Sequence, residues 1–166
     1  MDTFFYSKKS GKSSRVYSCC QVFATPFGHV MGIPMVYKKG HNVANAMKMY
    51  FKEIDVPPDL ISDGSREQVQ GEALWLLNKP GCQILELEKG TPDTNRAERY
   101  IQILNNKTKQ YLVDSDSPMV FWCYCVKRRA RIINATVLEN YLLKRETPHS
   151  KITGRPCDIS DICGYG

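Results

Sequence analysis

The hydrophobic pattern changes period after Tyr37, and that change restricts the chain to a mixed α/β architecture. Met1 to Tyr6 and Tyr17 to Ala24 are rich in aromatic and β-branched residues, and the polar stretch Ser7 to Arg15 separates them. Both read as strands. A third is predicted over Val30 to Tyr37, beyond the Pro26-Phe27-Gly28 turn, with Pro34 marking an edge position. Three strands with short connections read as an antiparallel meander. From Val43 the spacing switches to four, three and four, through Met47, Tyr50 and Ile54, with Ala44 and Phe51 beside them. That is one apolar stripe of a helix, which Pro57-Pro58 ends.

The rest of the chain continues the alternation. Leu60 to Asp63 is a short predicted strand, and Gly64 turns the chain. Ser65-Arg66-Glu67-Gln68 reads as a capping box opening a helix carried by Val69, Ala73, Leu76 and Leu77, which Lys79-Pro80-Gly81 stops. Cys82 to Leu87 is a fifth predicted strand. A long helix follows from about Asn95, and an aromatic-rich one spans Met119 to Ile133. Beyond it, little periodicity remains up to Gly166. A meander followed by strand–helix–strand units implies one α/β domain, a mixed five-stranded sheet with helices on both faces.

Several classes are excluded. No run approaches the roughly 20 apolar residues that a membrane helix requires. The N-terminal segment has neither a basic region nor a small-residue cleavage site, so the expected location is intracellular, cytoplasmic to nuclear. Seven cysteines (Cys19, Cys20, Cys82, Cys123, Cys125, Cys157, Cys163) form no Cys-x-x-Cys and no paired set, and read as free thiols. Of the net charge of +6, residues 1–60 and 101–166 each carry +4 and residues 61–100 carry −2. An acidic centre between basic flanks suits an anionic partner.

Three acids in that pattern are positioned for chemistry: Asp2 in the first strand, Asp63 at the end of the fourth, and Glu98 in the first turn of the long helix. Ligands of open α/β sheets bind at the carboxyl ends of strands. Converging carboxylates suit hard divalent cations such as Mg²⁺, shared with a substrate phosphate. A bland reading stands beside this. Asp63-Gly64 is also an ordinary turn, Asp2 a terminal acid, and Glu98 a residue favoured at helix N-termini. In the long helix, Ala97, Ile101, Leu104, Thr108 and Tyr111 mark the core face, and Glu98, Gln102, Asn105 and Lys109 an adjacent polar row. That row is either a solvated face or a substrate-facing one. The basic run Lys127-Arg128-Arg129-Ala130-Arg131 has the same two readings, beside Phe121, Trp122 and Ile132 assigned to the core.

Asp63-Gly64-Ser65, followed by Gly90-Thr91-Pro92-Asp93-Thr94-Asn95-Arg96-Ala97-Glu98-Arg99, resembles the catalytic core of retroviral and retrotransposon integrases. The 34 residues between Asp63 and Glu98 are close to the usual gap of that family. Asp2-Thr3 resembles its first-aspartate strand. Cys20-Gln21-Val22-Phe23, Ser117-Pro118-Met119 and Lys127-Arg128-Arg129-Ala130 resemble Ty1/copia-type polyproteins most, as do Pro148-His149 and Asp158-Ile159-Ser160. The resemblance covers nearly the whole chain and departs from retroviral members at Gln102 and Asn105, where those carry lysines.

The resemblance implies a ribonuclease H-like core over residues 1–135, with a truncated first strand, and an extension over residues 136–166. It implies two Mg²⁺ or Mn²⁺ ions, with Asp2 bridging both and Asp63 and Glu98 each completing one coordination sphere. It also implies cleavage and strand transfer on DNA, and self-association. Lys12, Arg15, Asn95, Gln102, Asn105 and Lys109 are the candidate nucleic-acid contacts, with Tyr17 beside them. Zinc-binding and C-terminal DNA-binding modules of intact members lie outside the resemblance, which suggests a core fragment or a decayed element copy. The alternative is a catalytically inactive relic or domesticated module that binds nucleic acid or self-associates. A hydrolase of RNA–DNA hybrids is a third.

Overall fold

The computed structural model describes residues 1–5, 17–65, 68, 70–78, 81–87, 96–137, 143–158 and 160. Strands β1 (Asp2–Phe5), β2 (Cys19–Ala24) and β3 (Val30–Met35) form an antiparallel ladder in the order β1-β2-β3. Asp2 pairs with Val22, and Cys19 with Met35. The middle strand β2 is buried over five of its six residues, consistent with its apolar sequence. Pro34 sits opposite Cys20 on β3, which pairs with β2 alone among the described residues. The edge position expected of a proline is thus observed.

Odd and even positions of β2 feed two cores. On one face Cys19 and Phe23, with Ile33 and Met35 of β3, meet Val43, Ala44, Met47 and Tyr50 of α1 (Gly40–Ile54). The Phe23 and Tyr50 rings stack at 4.3 Å, 11° from parallel. Helix α2 (Gly71–Asn78) joins this layer through Ala73 and Leu77. On the other face Cys20, Val22 and Val30 meet Leu104 and Leu112 of α3 (Arg96–Asp114), and Trp122 and Val126 of α4 (Trp122–Ala135). Each large side chain sealed this way contributes roughly 1.5–3 kcal/mol. α4 lies so close that a Cβ on Gly32 would fall 2.7 Å from Val126 Cγ1.

β4 (Asp59–Ser62) and β5 (Gln83–Glu86) form a separate parallel ladder, pairing Leu60 with Ile84. The five expected strands are present, but in ladders of three and two. The seam between β1 and β4 is closed by the Met1 amino group donating to the Ile61 carbonyl and by side chains. The capping box expected at Ser65 is not made. Ser65 Oγ has no partner, and the Gln68 amide that would have turned back to it points into the seam. The partners Arg66 and Glu67, the helix residue Val69 and the Lys79-Pro80 stop lie outside the described residues.

The aromatic-rich helix begins with a 3₁₀ turn over Met119–Phe121 before α4. Trp122 is core as expected, whereas Phe121 is half-exposed. Asn134 of α4 accepts from the Val30 amide at 2.7 Å and donates to the Val30 carbonyl at 2.8 Å, satisfying the outer edge of β3. A short helix unmarked by periodicity, α5 (Pro148–Thr153), packs against α4. Thr147 and Ser150 form its capping box, with Pro148 at the first helical turn. The six described cysteines are free thiols. Among the described residues, no helix is long and apolar enough to cross a membrane.

Candidate metal centre

Asp2 opens β1 and Asp63 directly follows β4, so both carboxylates stand at the seam. Asp2 is half-buried, and its Oδ1 accepts from the Thr3 amide at 2.6 Å. Burial pushes its carboxyl above the usual aspartate range. The Thr3 amide opposes this, the negative charge of Asp63 adds to it, and the Lys38 ammonium opposes it more weakly. Asp63 thus lies near enough for its negative charge to act on Asp2. Asp63 is exposed, and its Oδ1 accepts from the Ser65 amide at 3.1 Å. Gly64 then takes φ 72°, a backbone that suits glycine. A Cβ there would fall 3.2 Å from Glu86 Oε2, so a further carboxylate borders the turn.

Glu98 lies half-buried in the first turn of α3. Arg96 anchors that turn by donating to the Pro26 carbonyl at 2.7 Å. Among the described residues, no three His, Cys, Asp or Glu side chains are grouped so as to hold a metal ion. Asp2 and Asp63 stand close enough for the charge of one to act on the other, and Glu98 follows a segment, 88–95, that is not described.

The donor set of the pair fits one hard cation. Mg²⁺ takes oxygen ligands, retains several waters and is commonly held by one or two carboxylates plus a substrate phosphate. The exposure of Asp63 leaves a side open for that phosphate.

The remaining candidates fall on two helices, at Tyr17 ahead of β2, where it packs against the second core, and outside the described residues. Gln102 and Lys109 are exposed and Asn105 is half-buried, on the polar side of α3, away from buried Ala97, Leu104, Thr108 and Leu112. Lys12, Arg15 and Asn95 lie outside the described residues. In the basic run, Lys127 and Arg131 are exposed, and the Arg129 guanidinium stacks 4.9 Å over the Tyr111 ring. That contact assigns part of Arg129 to covering the helix pair.

Three residues near the pair escaped the sequence reading: Lys38, Glu86 and Gln68. Lys38 sits between the meander and α1, a basic residue at a strand end, which was the available signal. Glu86 was hidden in a short strand. Gln68 was assigned to a cap.

Comparison with known proteins places the fold. No protein-family model matches the chain, and no curated protein matches it in sequence. Solved structures do. The magnesium complex of the HTLV-2 integrase catalytic core domain, in its trimeric form, superposes with a TM-score of 0.68 at 16% identity, over 91% of each chain. The catalytic core domain of BIV integrase gives 0.65 at 15% identity, over 100% of this chain and 96% of that one. The simian T-cell lymphotropic virus intasome in complex with the PP2A regulatory subunit B56 gamma gives 0.71 at 15% identity, over 93% of this chain and 53% of that one. The chain adopts the ribonuclease H-like fold of integrase catalytic cores.

Proposed function

We propose that this chain is an integrase catalytic core of the retrotransposon, Ty1/copia type, which joins element DNA ends to target DNA by phosphodiester cleavage and strand transfer. The observation that carries the reading is the Asp2–Asp63 pair, built across a strand seam of this fold. Residues 1–135 form the core and 136–166 its extension. DNA is the partner, and a second copy of the chain completes the working assembly, inside the cell between cytoplasm and nucleus.

In this reading Asp2 and Asp63 would hold a divalent ion, Mg²⁺ or Mn²⁺, and Glu98 would serve as a ligand to a second one. Bound divalent ions supply Lewis-acid polarisation of the phosphate and activation of the attacking oxygen. Lys38 offsets the negative charge of the pair. Gln102, Asn105 and Lys109 line the α3 face along the DNA backbone, extended by Lys12, Arg15 and Asn95.

The test is nicking and joining of labelled oligonucleotide ends by the purified chain, with and without Mg²⁺ or Mn²⁺. Metal-dependent products are expected, and Asp63→Asn should reduce them by at least about 1,000-fold, since a ligand to the ion contributes several kcal/mol to the barrier. Equal activity in that variant sinks the reading.

A second reading has its own support. Among the described residues no three His, Cys, Asp or Glu side chains form a group that could hold a metal, which favours a non-catalytic module that binds DNA through its basic flanks. That module would bind with a steep salt dependence, indifferent to metal and to Asp63→Asn.

A further inference from the structure

The two ladders share no strand pairing among the described residues, only the Met1 amino group donating to the Ile61 carbonyl, so side chains add further ties between the strands that carry Asp2 and Asp63. One continuous hydrogen-bond chain does so. The Gly64 amide donates to Ser62 Oγ at 3.2 Å, and Ser62 Oγ donates to Gln68 Oε1 at 2.6 Å. Gln68 Nε2 donates to Thr3 Oγ1 at 3.4 Å, and Thr3 Oγ1 donates to Gln21 Oε1 at 2.6 Å. Each hydroxyl donates once and accepts once, so the chain has a single sense. Gln68, Ser62 and Gln21 are fully buried, where a broken link cannot be replaced by water at no cost. Thr3 follows Asp2 and Ser62 precedes Asp63.

We infer that Gln68 is a positioning residue for the carboxylate pair: its amide bridges Thr3 of β1 to Ser62 of β4 and fixes the spacing of Asp2 and Asp63 across the seam. The bridge is a property of the metal-free protein. Its consequence for metal binding rests on the reading of the pair as a cation site. Groups hydrogen-bonded directly to metal ligands change affinity by about 10–100-fold when lost; Gln68 bonds the residues next to the ligands, which puts its expected effect at the lower end of that range.

The test uses the full chain and three variants. Gln68→Met keeps the shape and removes the amide. Thr3→Val breaks the same bridge from the other strand and serves if Gln68→Met fails to fold. Leu77→Val lowers stability at a buried α2 position without touching the bridge. Two readouts are taken: the proton–proton contact between Thr3 and Ser62 or Gln68 by NMR without metal, and Mn²⁺ affinity by electron paramagnetic resonance. Loss of the contact in the bridge variants, with Mn²⁺ binding weakened at least about tenfold and both unchanged in Leu77→Val, supports the inference. A retained contact, or equal weakening by Leu77→Val, overturns it. If the wild-type chain binds no Mn²⁺ while the bridge variants still lose the contact, the cation-site reading fails and the positioning role stands.

Discussion

The two ladders of this molecule are held by different forces. The β1-β2-β3 ladder is a hydrogen-bonded meander with an apolar face on each side, and its centre is sealed by α1 and α2 below and α3 and α4 above. The β4-β5 ladder is two short parallel strands with one covered face. Leu60 and Ser62 point inward, while Ile61 and Leu85, paired in register, stand 42% and 48% exposed. Parallel strands usually lie between covered faces. The pair Asp2 and Asp63 stands where the strongly held ladder meets the weakly held one.

The contrast breaks first on the strong side. Trp122 is fully buried among Cys20, Val22 and Leu104. Trp122→Ala should cost about 3–5 kcal/mol, read as a shift in the urea midpoint at unchanged slope. Asn134→Ala should cost about 2 kcal/mol, because it strands both the amide and the carbonyl of Val30 at the edge of β3. A smaller loss at Trp122 than at Leu60 of β4 would contradict the division.

The sequence made the strong side legible and the weak side less so, for a physical reason. Cys19 to Ala24 is apolar on both faces, and the stripe Val43, Met47, Tyr50 and Ile54 declares its helix by spacing alone. Such patterns are written by burial, so they can be read back from composition. The seam is written in polar residues whose partners are distant in the chain. Gln68 lies three residues after Ser65, which matches a capping box, and only its separation from Thr3 of β1 in space decides against that. The short α5 spans less than two turns, too little for a period to show, though Thr147-Pro148 and Ser150 carried its start signal. Asp2 and Asp63 were legible because strand ends are where ligands gather. Glu98 was legible as a helix-start acid.

A pH titration sharpens the same contrast. His29, in the β2–β3 turn, is fully buried, and neither ring nitrogen has a hydrogen-bond partner. His149 of α5 faces it at 6.3 Å between ring centroids, and the Glu53 carboxylate of α1 stands 4.0 Å from its Nε2. Burial first, and the charge of His149 second, push its pKa down to about 4. Glu53 is half-exposed and too far to offset the burial. The folded pKa lies below the unfolded one, so this contribution is fully present above about pH 6.5. It is lost progressively as the pH falls toward 4. The loss should be on the order of 2 kcal/mol, absent in His29→Leu. Chemical denaturation between pH 7 and 4 measures it, and a parallel decline in both proteins would assign the acid sensitivity elsewhere.

The smallest effect is expected on the exposed face of the weak ladder. Ile61→Thr and Leu85→Thr keep a branched or strand-compatible side chain and remove apolar surface that is already in water. Each should change stability by no more than about 0.5 kcal/mol. Leu60→Ala, one residue away on the covered face, should cost about 2–4 kcal/mol. The ratio between neighbours on one strand measures how one-sided the β4-β5 ladder is in solution. If Ile61→Thr costs as much as Leu60→Ala, both faces are buried in the working protein. The exposed row of Ile61 and Leu85 would then be a covered surface, and the seam beside it would be held from outside as well as by Gln68.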